Sequence, residues 1–187
     1  MAWRRSSRRS ASSSNNVTAR MTFSFLCRSC GETHTGMPSF GADAPWLYEQ
    51  MAPAEREARC QLDSDACIVD EEHCFVRATI DIPVHGSDEP FSWGVWVSLS
   101  GESFDSWDAC FNDAQRAHIG PFFGWLSTQL PVYPDTLNLK TRVHLRDDGV
   151  RPSIELEPTE HPLAIEQRDG ITAERVAELY ARLVHGA

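Results

Sequence analysis

Along much of the chain apolar residues recur every second position, and in three stretches that period gives way to one of three to four. The clearest alternation is Leu137, Leu139, Thr141, Val143 and Leu145 against Asn138, Lys140, Arg142, His144 and Arg146, which predicts a strand with one buried face. Asp148-Gly149 then supplies a turn that needs positive φ. Pairing outward from it sets Arg146 against Arg151, His144 against Ser153, Arg142 against Glu155 and Lys140 against Glu157. Phe91 to Ser100 predicts a central strand, with Trp93, Val95, Val97 and Leu99 on one face and Gly94, Trp96, Ser98 and Ser100 on the other. Cys60 to Asp70 and His73 to Val84 read as a hairpin turning at Glu71-Glu72, and Phe23 to Leu26 and Phe122 to Leu130 as further strands.

The helical period appears three times. Residues 45–59 read as two short pieces, the second opened by Pro53, and 103–116 carries Phe104, Trp107 and Phe111 at spacings of three and four. Thr172 to His185, with Val176, Leu179, Tyr180 and Leu183 on one stripe, predicts a capped amphipathic helix ending at Gly186. The expected fold is therefore α+β, a single domain with a mostly antiparallel sheet and a few flanking helices.

Composition narrows the function classes. The chain has 187 residues, enough to bury a core without help from disulfides or metal, and no apolar run approaches the roughly 20 residues needed to span a bilayer. The formal charge of -10 conceals five arginines and no acid in residues 1–20, leaving about -15 for the remainder. Such acidity argues against nucleic acid as partner, because binding a phosphate backbone needs a basic face. Residues 1–20 are Ser-rich and lack an apolar signal core, so they read as a disordered extension, with the domain, and a possible translation start, at Met21. A cytoplasmic setting follows as the expectation, with the six cysteines reduced or metal-bound.

Candidate chemistry centres on Phe25-Leu-Cys27-Arg-Ser-Cys30-Gly-Glu-Thr-His34. Two thiols two residues apart on a turn, followed by glycine, form half of a structural zinc site. Cys60 and Cys67, bracketing a short polar loop, are the preferred second pair, giving Cys27, Cys30, Cys60 and Cys67 as the metal ligands with His34 or His73 as substitutes. The alternatives are buried thiols without metal, or a redox pair, which would need a helix after Cys30 where Gly31 to Gly41 offers a loop. A second concentration, Glu157 and His161 with His144, Lys140 and Glu166, could serve a hydrolase-like enzyme, although Glu155 and Glu157 facing Arg142 and Lys140 also suit a salt-bridged solvent face. The tryptophans 93, 96, 107 and 125 suit core packing better than a ligand pocket.

Several longer strings carry a resemblance. They are Cys27-Arg-Ser-Cys-Gly-Glu-Thr-His34, Ser39-Phe-Gly41, Arg59-Cys-Gln-Leu62 with Asp65-Ala-Cys-Ile-Val-Asp70, Trp93-Gly-Val-Trp-Val-Ser-Leu-Ser100, Tyr133-Pro-Asp-Thr-Leu-Asn-Leu-Lys-Thr141, and Glu155-Leu-Glu-Pro158 through His161-Pro-Leu-Ala164. Together they resemble the uncharacterised bacterial family called domain of unknown function 2199, over nearly everything after Met21. The resemblance implies a self-contained bacterial domain and supplies no activity and no catalytic residues. The expectation is a binding or accessory protein with a small structural zinc site, acting on a protein or small-molecule partner.

Overall fold

In the computed structural model, which describes residues 22–186, the chain runs β1 (Ser24–Leu26), β2 (Thr33–Thr35), β3 (Ser39–Gly41), α1 (Trp46–Glu49), α2 (Pro53–Arg59), β4 (Cys60–Leu62) and β5 (Ala66–Val69). It continues through β6 (His73–Ile82), β7 (Phe91–Leu99), α3 (Gly101–Ala109), β8 (Phe122–Leu126), β9 (Lys140–His144) and β10 (Ser153–Leu156), and ends with α4 (Pro162–Asp169) and α5 (Ala173–His185). The architecture is α+β. The reading of residues 1–20 as an extension falls outside the described residues.

The spine is the β6–β7 hairpin, in continuous antiparallel register from Cys74 opposite Leu99 to Ile82 opposite Phe91. Each strand shares its outer edge between two neighbours. Along β6, residues 73–76 pair with β5, and Thr79 then pairs in parallel with Ser153 of β10. Along β7, Ser92 to Gly94 pair in parallel with β3, and Val97 and Ser98 pair with β8. Since β8, β9 and β10 are consecutive antiparallel neighbours, the ladder β6–β7–β8–β9–β10 closes on itself through the short parallel contact. The predicted register across β9 and β10 is the observed one at His144–Ser153 and Arg142–Glu155, and Asp148 and Gly149 carry the positive φ values of 56° and 69° that the turn requires.

Alternation on β7 divides the core. Trp93, Val95, Val97 and Leu99 join the main cluster inside the closed ladder, with Ile80, Val143 and Ile154. Trp96, on the other face, packs with Met51, Cys67, Val69 and Phe75 in a second cluster, its indole N–H donating to the Ala42 carbonyl at 3.2 Å. Closure of so small a ring demands a close approach at Gly124. A methyl group there would lie 2.5 Å from the Ser98 carbonyl oxygen and 2.6 Å from Val97 Cγ2. Gly124→Ala should therefore cost about 2–3 kcal/mol, seen as a lower urea midpoint. Gly101→Ala, which would meet nothing within 4 Å, should leave the midpoint unchanged or slightly raised.

The helix expected to reach residue 116 ends at Ala109, capped at its start by Ser100, whose hydroxyl accepts the Ser103 N–H. The chain turns away because Arg116 is pulled inside, with only 1% of its surface exposed. Its guanidinium donates to the carbonyls of Arg146 (2.9 Å), Phe111 (2.9 Å) and Val150 (3.1 Å). The backbone N–H groups of Ala117 and Arg116 both donate to Asp147, holding that carboxyl below its ordinary range.

At the other end of the chain, α5 buries Val176 and Leu179 of the predicted stripe together with Ala177 and Ala181, while Tyr180 and Leu183 are partly buried against the main core. Thr172 accepts the Arg175 N–H at 3.3 Å, and Gly186 terminates the helix in the left-handed conformation at φ 66°. This leaves His185 as the last helical residue. No helix of the described residues is long and apolar enough to cross a membrane.

Candidate metal centre

The segment expected to be a strand, a turn and a loop is a small two-stranded sheet of its own. Phe25 pairs with His34, and the flanking bonds Cys27 N–H to Glu32 carbonyl (2.9 Å) and Gly36 N–H to Phe23 carbonyl (2.8 Å) continue the ladder at both ends. The turn between the strands is closed by the Gly31 N–H donating to the Cys27 carbonyl at 2.9 Å, with Gly31 at φ 75°. Cys27 and Cys30 thus stand at the head of the hairpin, and His34 follows on β2.

Packing then brings in the far end of the chain. Tyr180 of α5 lies against the His34 ring at a centroid separation of 4.5 Å and against Phe25 at 5.2 Å. Its ring is also 6.0 Å from that of His185. With α5 seated in this way, one donor atom from each of Cys27, Cys30, His34 and His185 lies within 4.8 Å of all the others. Cys30 Sγ and His34 Nε2 are 3.4 Å apart. Cys27 is fully buried, His34 half-buried, and Cys30 and His185 exposed.

Cys27 is held below its ordinary pKa, first by the backbone N–H of Cys30 and further by that of Ser29, both of which favour the thiolate. Burial pushes Cys60, Cys74 and Cys110 up, and Cys67 up to about 12. A metal ligand must be a thiolate, so the local field favours that role at Cys27 and opposes it at Cys60, Cys67, Cys74 and Cys110.

Of the ligands expected from sequence, the structure brings together Cys27 and Cys30 and adds His34, the proposed substitute. Cys60 and Cys67 stand elsewhere, on the β4–β5 hairpin, where Cys60 is opposite Val69 and Cys67 is opposite Leu62. Cys67 is a member of the second core cluster and Cys60 packs against it, its thiol 3.5 Å from Met51 Sδ. His73, the other substitute, pairs with Val69. His185 was not legible as a ligand, because its only sequence signal is its place in the last turn of an amphipathic helix, which does not say what that helix packs against.

The second polar concentration is dispersed. His144 is paired with Glu155 at 3.1 Å and Lys140 with Glu157 at 3.5 Å, both on the exposed face of the β9–β10 hairpin. His161 caps α4, its Nδ1 accepting the Leu163 N–H at 3.2 Å. Glu166 receives Arg175 at 2.8 Å and the Tyr133 hydroxyl, and burial with that contact raises the Tyr133 pKa.

Residues 26–171 match the sequence profile of a family described as "uncharacterized protein conserved in bacteria" (DUF2199). The chain belongs to this family. The matched span contains Cys27, Cys30 and His34 and stops before α5, which carries His185. No curated protein and no solved structure matches the chain.

Proposed function

We propose that this protein is a soluble, cytoplasmic binding or accessory module in which a structural zinc ion, held by Cys27, Cys30, His34 and His185, ties the N-terminal hairpin to the end of the C-terminal helix. The observation that carries this reading is the convergence of the four donor atoms within 4.8 Å. Two thiolates and two imidazoles form a donor set that suits tetrahedral zinc, with bonds of about 2.3 Å to sulfur and about 2.0–2.1 Å to nitrogen. Because the protein fills all four positions, the ion has no open place for water or substrate, which favours a structural role over a catalytic one. The chain needs no metal to bury its main core, so the ion's work is local.

The test is elemental analysis of the purified protein. One zinc per chain is expected, falling close to zero in Cys30→Ser and in His185→Ala while Cys60→Ser keeps its metal. Replacement by cobalt should give the visible absorption of a tetrahedral thiolate site. Absence of metal from protein prepared with zinc present would overturn the reading.

A further inference from the structure

The geometry points to a peptide-binding cleft between β1 and α5, in which an extended, acidic segment of a partner protein adds as a third strand to β1. The inference rests on the binding-module reading above and gives its partner a chemistry.

Three observations support it. First, β1 has one open edge. The bonded pairs with β2 are Phe23–Gly36, Phe25–His34 and Cys27–Glu32, so in an antiparallel ladder the N–H and C=O of Ser24 and Leu26 point the opposite way. No other strand pairs with β1 among the described residues. Secondly, a cleft of about 970 Å³ lies along β1, lined by Ser24 and Leu26 on one side and by Ala173, Ala177 and Ala181 of α5 on the other. Leu26 is 60% exposed there, an apolar anchor without a cover among the described residues, and Ala173, Ala177 and Ala181 present small side chains on the opposite wall. Strand addition to such an edge takes affinity from main-chain bonds and specificity from alternate side chains.

Thirdly, the charge of the rim selects the occupant. Glu178 is bonded to Arg175 at 2.8 Å, and Glu174 is held by its own backbone N–H and the Thr172 hydroxyl, so both carboxylates are satisfied. Arg182, also lining the cleft, has no carboxylate within 4 Å among the described residues, and Arg28 acts on Glu174 only through its charge, without a contact within 4 Å. Three arginines against two glutamates line this cleft in a protein of net charge -10, and that local positive excess favours a segment that alternates apolar with acidic residues.

The experiment uses a pool of eight-residue synthetic peptides alternating Val, Ile or Phe with Asp or Glu, and a matched pool with Lys in place of the acids. Against zinc-loaded protein, the acidic pool should bind and the basic pool should not, with the amide resonances of Ser24 and Leu26 shifting in NMR titrations. Leu26→Pro removes an edge N–H that β2 does not use and should weaken binding at least tenfold at unchanged zinc content. Arg182→Glu, on the other wall, should weaken it by a similar factor without touching β1. Failure of the acidic pool to bind folded, zinc-loaded protein overturns the cleft and leaves the metal reading intact. So does equal binding of the two pools, or full affinity in both variants. Binding by protein that holds no zinc would keep the cleft and remove the metal.

Discussion

Cys27→Ser protein should melt roughly 10 °C below the parent, and chelator should lower the parent to nearly the same temperature while leaving the variant unmoved. The size of the effect follows from what the ligand set joins. Its members come from the turn and second strand of the N-terminal hairpin and from the last residue of α5, and without an ion the hairpin keeps its own short ladder, the contacts of Phe25 and His34 with Tyr180, and the packing of Phe23 and Phe25 on the main core. Serine is close to cysteine in volume but gives zinc a far weaker ligand, so the substitution tests coordination with little change in packing. Scanning calorimetry with and without a strong chelator is the measurement. A variant that melts with the parent and still carries zinc would remove Cys27 from the ligand set.

Arg116→Leu should cost about 3–5 kcal/mol, a loss comparable to breaking a buried ionic contact. Leucine fills much of the same space but leaves the carbonyls of Phe111, Arg146 and Val150 without their donor. Buried acceptors stripped of a charged partner lose more than the bond itself was worth, because water does not replace it. Urea unfolding monitored by tryptophan fluorescence would read the change. Zinc content should stay at the parent level, since Arg116 is anchored to the loops around β9 and β10 and not to the hairpin that carries Cys27.

The contrast between these two sites shows what the sequence could express. The register of the β9–β10 hairpin was legible to the residue because one face meets the core and the Asp148-Gly149 turn fixes it, although β9 itself spans Lys140–His144 and not the whole alternation from Leu137. α5 was legible because cap, stripe and terminal glycine agree. β2 and β3, at three residues each, were hidden in a stretch punctuated by Gly36, Pro38 and Gly41, where neighbours rather than local pattern hold the backbone. Closure of the ladder was equally hidden, since the pairing of Thr79 with Ser153 leaves no periodic trace.

The candidate ligands divide in the same way. Cys27, Cys30 and His34 lie within one turn and its following strand, so spacing alone grouped them. Cys60 and Cys67 were attractive by nearness in sequence, but a hairpin that packs on Trp96 carries them into a core instead. Arg116 falls at the end of the helix expected over 103–116, and only its burial in the loop after Ala109 reveals its task.

The shared edge of β6 has a consequence for how the molecule comes to exist. β7 can dock on β6 as soon as the two emerge from the ribosome, because they are joined by a short loop. The upper half of the other edge of β6 must wait for β10, and the candidate metal ligands must wait for His185 at the end of α5. Both closures pair segments far apart in sequence, a topology associated with folding in milliseconds to seconds rather than microseconds. Until then that half-edge is open to pairing with another chain, which makes the interval before β10 arrives the period of greatest exposure to aggregation during synthesis.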